Sequence, residues 1–143
     1  VGDEKIIESY KLLVSNGASP VPIPIQNAAS ALYDDEDHQI KACEHYDKNF
    51  EVVENYLRPF YSDLKIPEAG FFLWLPVVDD EEATKILWNK FALRVMPGSY
   101  MGYEINGINP GKGFLRISIV DEINIIEDVM KRLCLFLQTY NNK

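Results

Sequence analysis

Arg116 is the residue whose surroundings least suit its type. It stands in Phe114-Leu115-Arg116-Ile117-Ser118-Ile119-Val120, a run that otherwise reads as a mostly apolar strand. Strict alternation places it on one face with Phe114, Ser118 and Val120. Arginines seldom stay inside a protein unless paired. One reading is an arginine on a half-solvated face, or one bonded to a structural acid. The other is a fixed guanidinium awaiting a carboxylate, because its planar fork grips both oxygens and a strand fixes its aim. Pattern alone leaves both open.

Other candidate chemistry is weaker. Gly111-Lys112 invites a phosphate-loop reading, but Asn106 stands where the upstream glycine is required. Gly113 rather than Ser or Thr follows the lysine, and a strand follows rather than a helix. Turn chemistry before a strand accounts for it better. His38, Cys43 and His45 lie among acids, yet the histidines are seven apart where helical zinc pairs want three or four. A solvated acidic helix is the simpler reading, so no metal is expected. Cys43 has no credible base and orienting group. Ser99, in Gly98-Ser99-Tyr100, is one residue out of frame for a nucleophile elbow.

The elements that position Arg116 follow from periodicity. Residues 3 to 15 read as a short helix with Ile6, Tyr10, Leu13 and Val14 on one face, stopped at Asn16-Gly17. Pro20, Pro22 and Pro24 make the stretch from Ala18 to Ile25 extended and stiff. Pro24 can then open a helix carrying Ile25, Ala28, Ala29 and Leu32. The acidic run Asp34 to Asp37 starts a long helix over 35–58, striped by Ile40, Cys43, Tyr46, Phe50, Val53 and Leu57.

From Pro67 onward the pattern changes. Gly70 to Val77 is a strand, apolar on both faces. Asp79 and Glu82 form a capping box for a helix through Phe91. Leu93 to Met96 is a short strand, stopped by Pro97-Gly98. A turn-rich loop from Tyr100 to Gly111 precedes the Arg116 strand. A last helix runs from Asp121 to Tyr140. The sum is an α/β fold, an α+β sandwich with a small sheet and helices packed on it.

Composition limits the partners. The 143 residues are 47% hydrophobic, 12% aromatic and 25% charged, which suits a folded globular chain. Net charge is -8, with basic residues scattered among acids. That argues against nucleic acid and anionic membranes and for a cytoplasmic protein. No apolar run approaches a membrane span. The start, Val1-Gly2-Asp3-Glu4, is no signal peptide and reads as an internal cut or a processed or engineered boundary. Cys43 and Cys134 sit on helical stripes, which favours two buried free thiols in a reducing compartment over one disulfide.

The serial order of motifs carries a resemblance. Pro67, Ala69-Gly70-Phe71-Phe72-Leu73-Trp74-Leu75, a helix, Leu93-Arg94-Val95-Met96-Pro97-Gly98-Ser99, Asn109-Pro110-Gly111 and Phe114-Leu115-Arg116-Ile117-Ser118 follow one another. That series resembles the small C-terminal domain of class I, fold type I aminotransferases, with a short, mostly antiparallel sheet. Gly2-Asp3 and Ala18 to Gln26 resemble the family's stretch just after the cofactor lysine. The resemblance divides the chain into 1–33, the tail of a large cofactor-binding domain, and 34–143, the small domain. Pro20-Val21-Pro22-Ile23-Pro24-Ile25-Gln26 and Tyr100-Met101-Gly102 look most like succinyldiaminopimelate transaminases, with aspartate-type transaminases the neighbouring alternative.

The resemblance implies amino transfer between an amino acid and a 2-oxo acid, with pyridoxal phosphate, in a full-length homodimer. It gives Arg116 the substrate's α-carboxylate. It places Ser19, Pro20, Pro22 and Gln26 in a segment that lines the partner subunit's active site. The family's Ser-x-x-Lys motif followed by Gly-x-Arg-x-Gly has no counterpart here. No catalytic residue is therefore assigned, and no covalently bound cofactor is expected in this chain, which should not transaminate alone. Two rivals are a non-catalytic interaction module from a split or truncated gene and an unrelated fold with a coincidental arginine.

Overall fold

The computed structural model describes residues 2–17 and 21–140. The chain divides into two compact units, 1–40 and 41–143. No helix among the described residues is long and apolar enough to cross a membrane.

The first unit carries α1 (Glu4–Gly17) and α2 (Ile23–Tyr33), neither of which buries a residue. Asp3 starts α1 by accepting the Lys5 and Ile6 N–H groups at 3.0 and 3.2 Å. The helix runs on through Asn16 and Gly17. The expected apolar face is present but open, with Ile6, Tyr10 and Leu13 exposed. Of the stretch expected to be extended, Ala18 to Pro20 lie outside the described residues, and only Val21 and Pro22 precede the next helix. Pro22 holds φ -58 and ψ 142, and α2 begins at the next residue. Pro24 sits in the first turn, where the missing N–H would have had no helical partner. Ile23 to Ile25 are therefore helical rather than extended.

Helix α3 (Glu36–Leu57) crosses from the first unit into the second, and its buried residues are Asn49, Phe50, Val53 and Leu57. Ile40 and Cys43, expected on its buried stripe, are exposed. Cys134 is half-buried, its thiol pushed up in pKa by burial, and both cysteines are free. The expectation of two buried thiols thus fails at Cys43, because the fully buried part of α3 starts only at Asn49.

The second unit continues with β1 (Phe72–Pro76), α4 (Asp80–Phe91), β2 (Met96–Pro97), a 3-10 turn (Gly98–Tyr100), β3 (Phe114–Ser118) and α5 (Ile123–Tyr140). The three strands form one antiparallel sheet in the order β1-β3-β2. This is the α/β architecture anticipated from the sequence. The second strand is displaced, covering Met96–Pro97 rather than Leu93 to Met96. It pairs only with β3, so Pro97 lies on an edge, where a proline is tolerated.

Alternation sorts the sheet into two faces. Leu73, Leu75, Leu115 and Ile117 are buried, and they join Phe50, Val53 and Leu57 from α3, Ala83 and Leu87 from α4, and Ile126, Met130, Leu133, Phe136 and Leu137 from α5. Each large side chain so buried contributes about 1.5–3 kcal/mol. The other face carries Phe72, Trp74, Met96, Phe114 and Arg116, of which Trp74, Met96 and Phe114 are exposed.

Asp79 caps α4 by accepting the Glu82 N–H at 2.8 Å. The Asp79 N–H donates to the Tyr140 hydroxyl at 3.1 Å rather than to a Glu82 carboxylate. In the loop before β3, Asn106 and Gly107 take φ 53 and 77, and Ile105 and Ile108 exchange two backbone hydrogen bonds of 3.0 Å. That is the signature of a tight Asn-Gly hairpin turn.

Candidate functional site

Arg116 is the middle residue of the central strand. Trp74 of β1 is its cross-strand partner on one side and Met96 of β2 on the other. The guanidinium lies over the Phe72 ring, with its central carbon 4.3 Å from the ring centroid. Arg116 is half-buried and makes no ion pair among the described residues. Among the described residues the structural-acid reading finds no partner.

Two grooves open beside this face. One, of about 570 Å³, runs between Trp74, Pro76 and Phe114 and the segment Phe60 to Lys65. The other, of about 470 Å³, is lined by Trp74, Met101, Gly102, Pro110, Gly111 and Phe114. Trp74 and Phe114 meet edge to face at 6.2 Å and form the ridge between them. Arg116 lines neither groove; its head leans toward Phe72, at the other end of the pair of strands. Tyr61 edges the first groove and donates to the Pro76 carbonyl at 2.9 Å. Burial, with a smaller effect from Tyr140, raises its pKa above the ordinary phenol value.

The approach to β3 is held from below by Asp80, which is 3% exposed. One carboxylate oxygen accepts the Ser99 N–H at 2.8 Å and the other accepts the Gly113 N–H at 3.1 Å. Burial raises the pKa of this group. The opposing pull of the adjacent Ser99 hydroxyl and these backbone donors outweighs it and leaves the carboxyl below its ordinary value. Asn109 completes the fastening. Its amide donates to the Ser99 carbonyl at 2.8 Å, and its oxygen accepts the Gly111 N–H at 2.9 Å.

Of the other segment expected to serve a site, Ser19 and Pro20 lie outside the described residues. Pro22 precedes α2, and Gln26 donates to the Val21 carbonyl at 2.7 Å; both are exposed. They belong to the first unit, Arg116 to the second. His45 sits within hydrogen-bond reach of the Val120 carbonyl at 3.1 Å and the Asn49 amide at 3.2 Å. Among the described residues no three metal-ligating side chains converge.

Two residues escaped the sequence reading. Asp80 was readable: with Ala83 and Leu87 it forms the inward stripe of α4, so an acid there needed partners. Phe72 was not, because its place beside Arg116 depends on the register of β1 against β3.

The family model described as aminotransferase class I and II matches residues 1–133. Among solved structures, an aminotransferase from Neisseria meningitidis Z2491 is 32% identical with a TM-score of 0.80, over 98% of this chain and 35% of that one. Aminotransferase AspB from Helicobacter pylori 26695 is 24% identical with a TM-score of 0.76, over 100% of this chain and 35% of that one. An aspartate aminotransferase from Thermotoga maritima is 24% identical with a TM-score of 0.74, over 96% of this chain and 34% of that one. The last two show the fold alone. The chain spans about a third of the length of these structures. No curated protein matches it.

Proposed function

The chain belongs to the class I and II aminotransferase family, and from that premise we propose that it is the substrate-carboxylate-binding part of a pyridoxal-phosphate-dependent transaminase. In the full-length enzyme an amino group passes between an amino acid and a 2-oxo acid. Arg116 holds the substrate's α-carboxylate. The observation that carries this is a half-buried guanidinium at the centre of the sheet's outer face, with no ion pair among the described residues.

When bound, pyridoxal phosphate supplies the electron sink of the reaction. The family's cofactor lysine motif has no counterpart in this sequence. Every described lysine is exposed. Ser62-Asp63-Leu64-Lys65 has the family's serine-to-lysine spacing, but Ile66-Pro67 follows it instead of Gly-x-Arg-x-Gly. Residues 1–143 alone would therefore bind a carboxylate without transaminating.

The finer assignments rest on sequence. Residues 1–33 are the tail of the large domain and 34–143 the small domain. Ser19, Pro20, Pro22 and Gln26 border the partner subunit's site in a cytoplasmic homodimer. The proline ladder and Tyr100-Met101-Gly102 support a succinyldiaminopimelate transaminase, with an aspartate-type transaminase the alternative.

Replacing Arg116 tests the central claim. In the full-length enzyme Arg116→Ala should lower kcat/KM by about 100-fold or more, since two charge-assisted hydrogen bonds are lost. Cofactor absorbance should be unchanged. An unaltered kcat/KM would refute the carboxylate role.

A further inference from the structure

We infer that Phe72 is a positioning residue for Arg116, holding the guanidinium aimed before a carboxylate arrives. The inference rests on the carboxylate role proposed for Arg116.

A free arginine side chain has many rotamers, and ordering it on binding costs affinity. A protein can order it beforehand in two ways. An acid would do so, but it would occupy the N–H fork that the ligand needs. An aromatic ring attracts the cation through its negative face and takes none of the five in-plane donors. Arg116 shows the second arrangement, with its central carbon 4.3 Å from the Phe72 centroid and no ion pair among the described residues.

The ring is itself held. Phe72 begins β1, opposite Ser118 of β3, so it stands diagonal to Arg116 across the sheet. Phe71 packs on it at 4.5 Å, and Tyr46 of α3 packs on Phe71 at 5.5 Å. The row from Tyr46 to Phe72 thus ties the aim of Arg116 to a helix of the second unit. Trp74, although directly across from Arg116, is engaged with Phe114 instead.

The test uses the full-length holoenzyme and two small probes, propionate and its neutral amide, titrated by calorimetry. Phe72→Leu and Phe72→Met keep an apolar side chain and remove the ring. Both should weaken propionate by about 2- to 30-fold, the range spanned by such contacts. Propionamide binding should stay as in the wild type. Phe72→Trp, which keeps a ring face, should retain propionate affinity. Arg116→Ala is the control for the underlying reading and should abolish the preference for propionate over propionamide. If Arg116→Ala does so while the leucine and methionine variants bind propionate normally, the positioning role is overturned and the carboxylate reading stands. Equal loss for both probes would also overturn it, since that marks general disorder of the site. If Arg116→Ala leaves the preference intact, the carboxylate reading fails and this inference with it.

Discussion

Gly98 and Gly111 stand backbone to backbone, so a Cβ added to either would overlap the other's carbonyl oxygen. This contact brings the 3-10 turn after β2 against the end of the loop that leads into β3. Asn109 and Asp80 hydrogen-bond across the same junction. Arg116 lies five residues beyond Gly111, so the junction sets where its strand begins.

Gly111→Ala should therefore destabilise the full-length protein by about 1–3 kcal/mol or more, because backbone must move to admit the methyl group. Gly107→Ala is the contrasting case. Gly107 has φ 77 but open space around it, so only its local backbone preference is lost, about 1 kcal/mol. Denaturant midpoints would separate them. A Gly111→Ala protein no less stable than Gly107→Ala would show that the junction yields easily.

Asp80→Asn should cost about 1–3 kcal/mol at neutral pH, since an amide nitrogen would face a backbone donor in a buried site. The wild-type group has a folded-state pKa below its ordinary 3.8. Its stabilisation is thus fully present above that ordinary value and is lost as pH falls through the lower folded-state value. The gap in urea midpoint between wild type and variant should be constant near neutrality and narrow below about pH 4. A gap that widened on acidification would contradict the assignment.

The legible and illegible parts of the molecule divide by range. Helix α4 was readable to its last residue because its signals are local: Asp79 as cap, an acidic first turn, and apolar spacing through Phe91. Arg116 was conspicuous because one charge interrupts a strand of alternating burial. The position of β2 was not readable, since pairing with Leu115 rather than local propensity admits Pro97 to the strand. Cys43 was misplaced because the stripe of α3 continues beyond its buried part. The ring under Arg116 depends on strand register, which no single segment encodes.

Ala92 ends α4 in the left-handed region, at φ 51, where a side chain is costly and glycine is usual. Its strain is offset from another helix. Arg132 of α5 donates to the Phe91 and Ala92 carbonyls at 3.0 and 3.2 Å, and Asp128 anchors the guanidinium at 2.7 Å. These bonds satisfy carbonyls that the helix end leaves unpaired. Ala92→Gly should relieve about 1–2 kcal/mol of strain and lose about 0.5–1 kcal/mol through a freer unfolded chain. The net expectation is a gain of up to about 1.5 kcal/mol and a modest rise in Tm. Arg132→Ala should lose about 1–3 kcal/mol, chiefly by stranding the part-buried Phe91 carbonyl, and Ala92→Gly should not restore it, because glycine brings no donor. Calorimetric scans of the two single variants and the double variant would check this. A Tm for Ala92→Gly below wild type would mean that the alanine methyl group packs usefully at this turn.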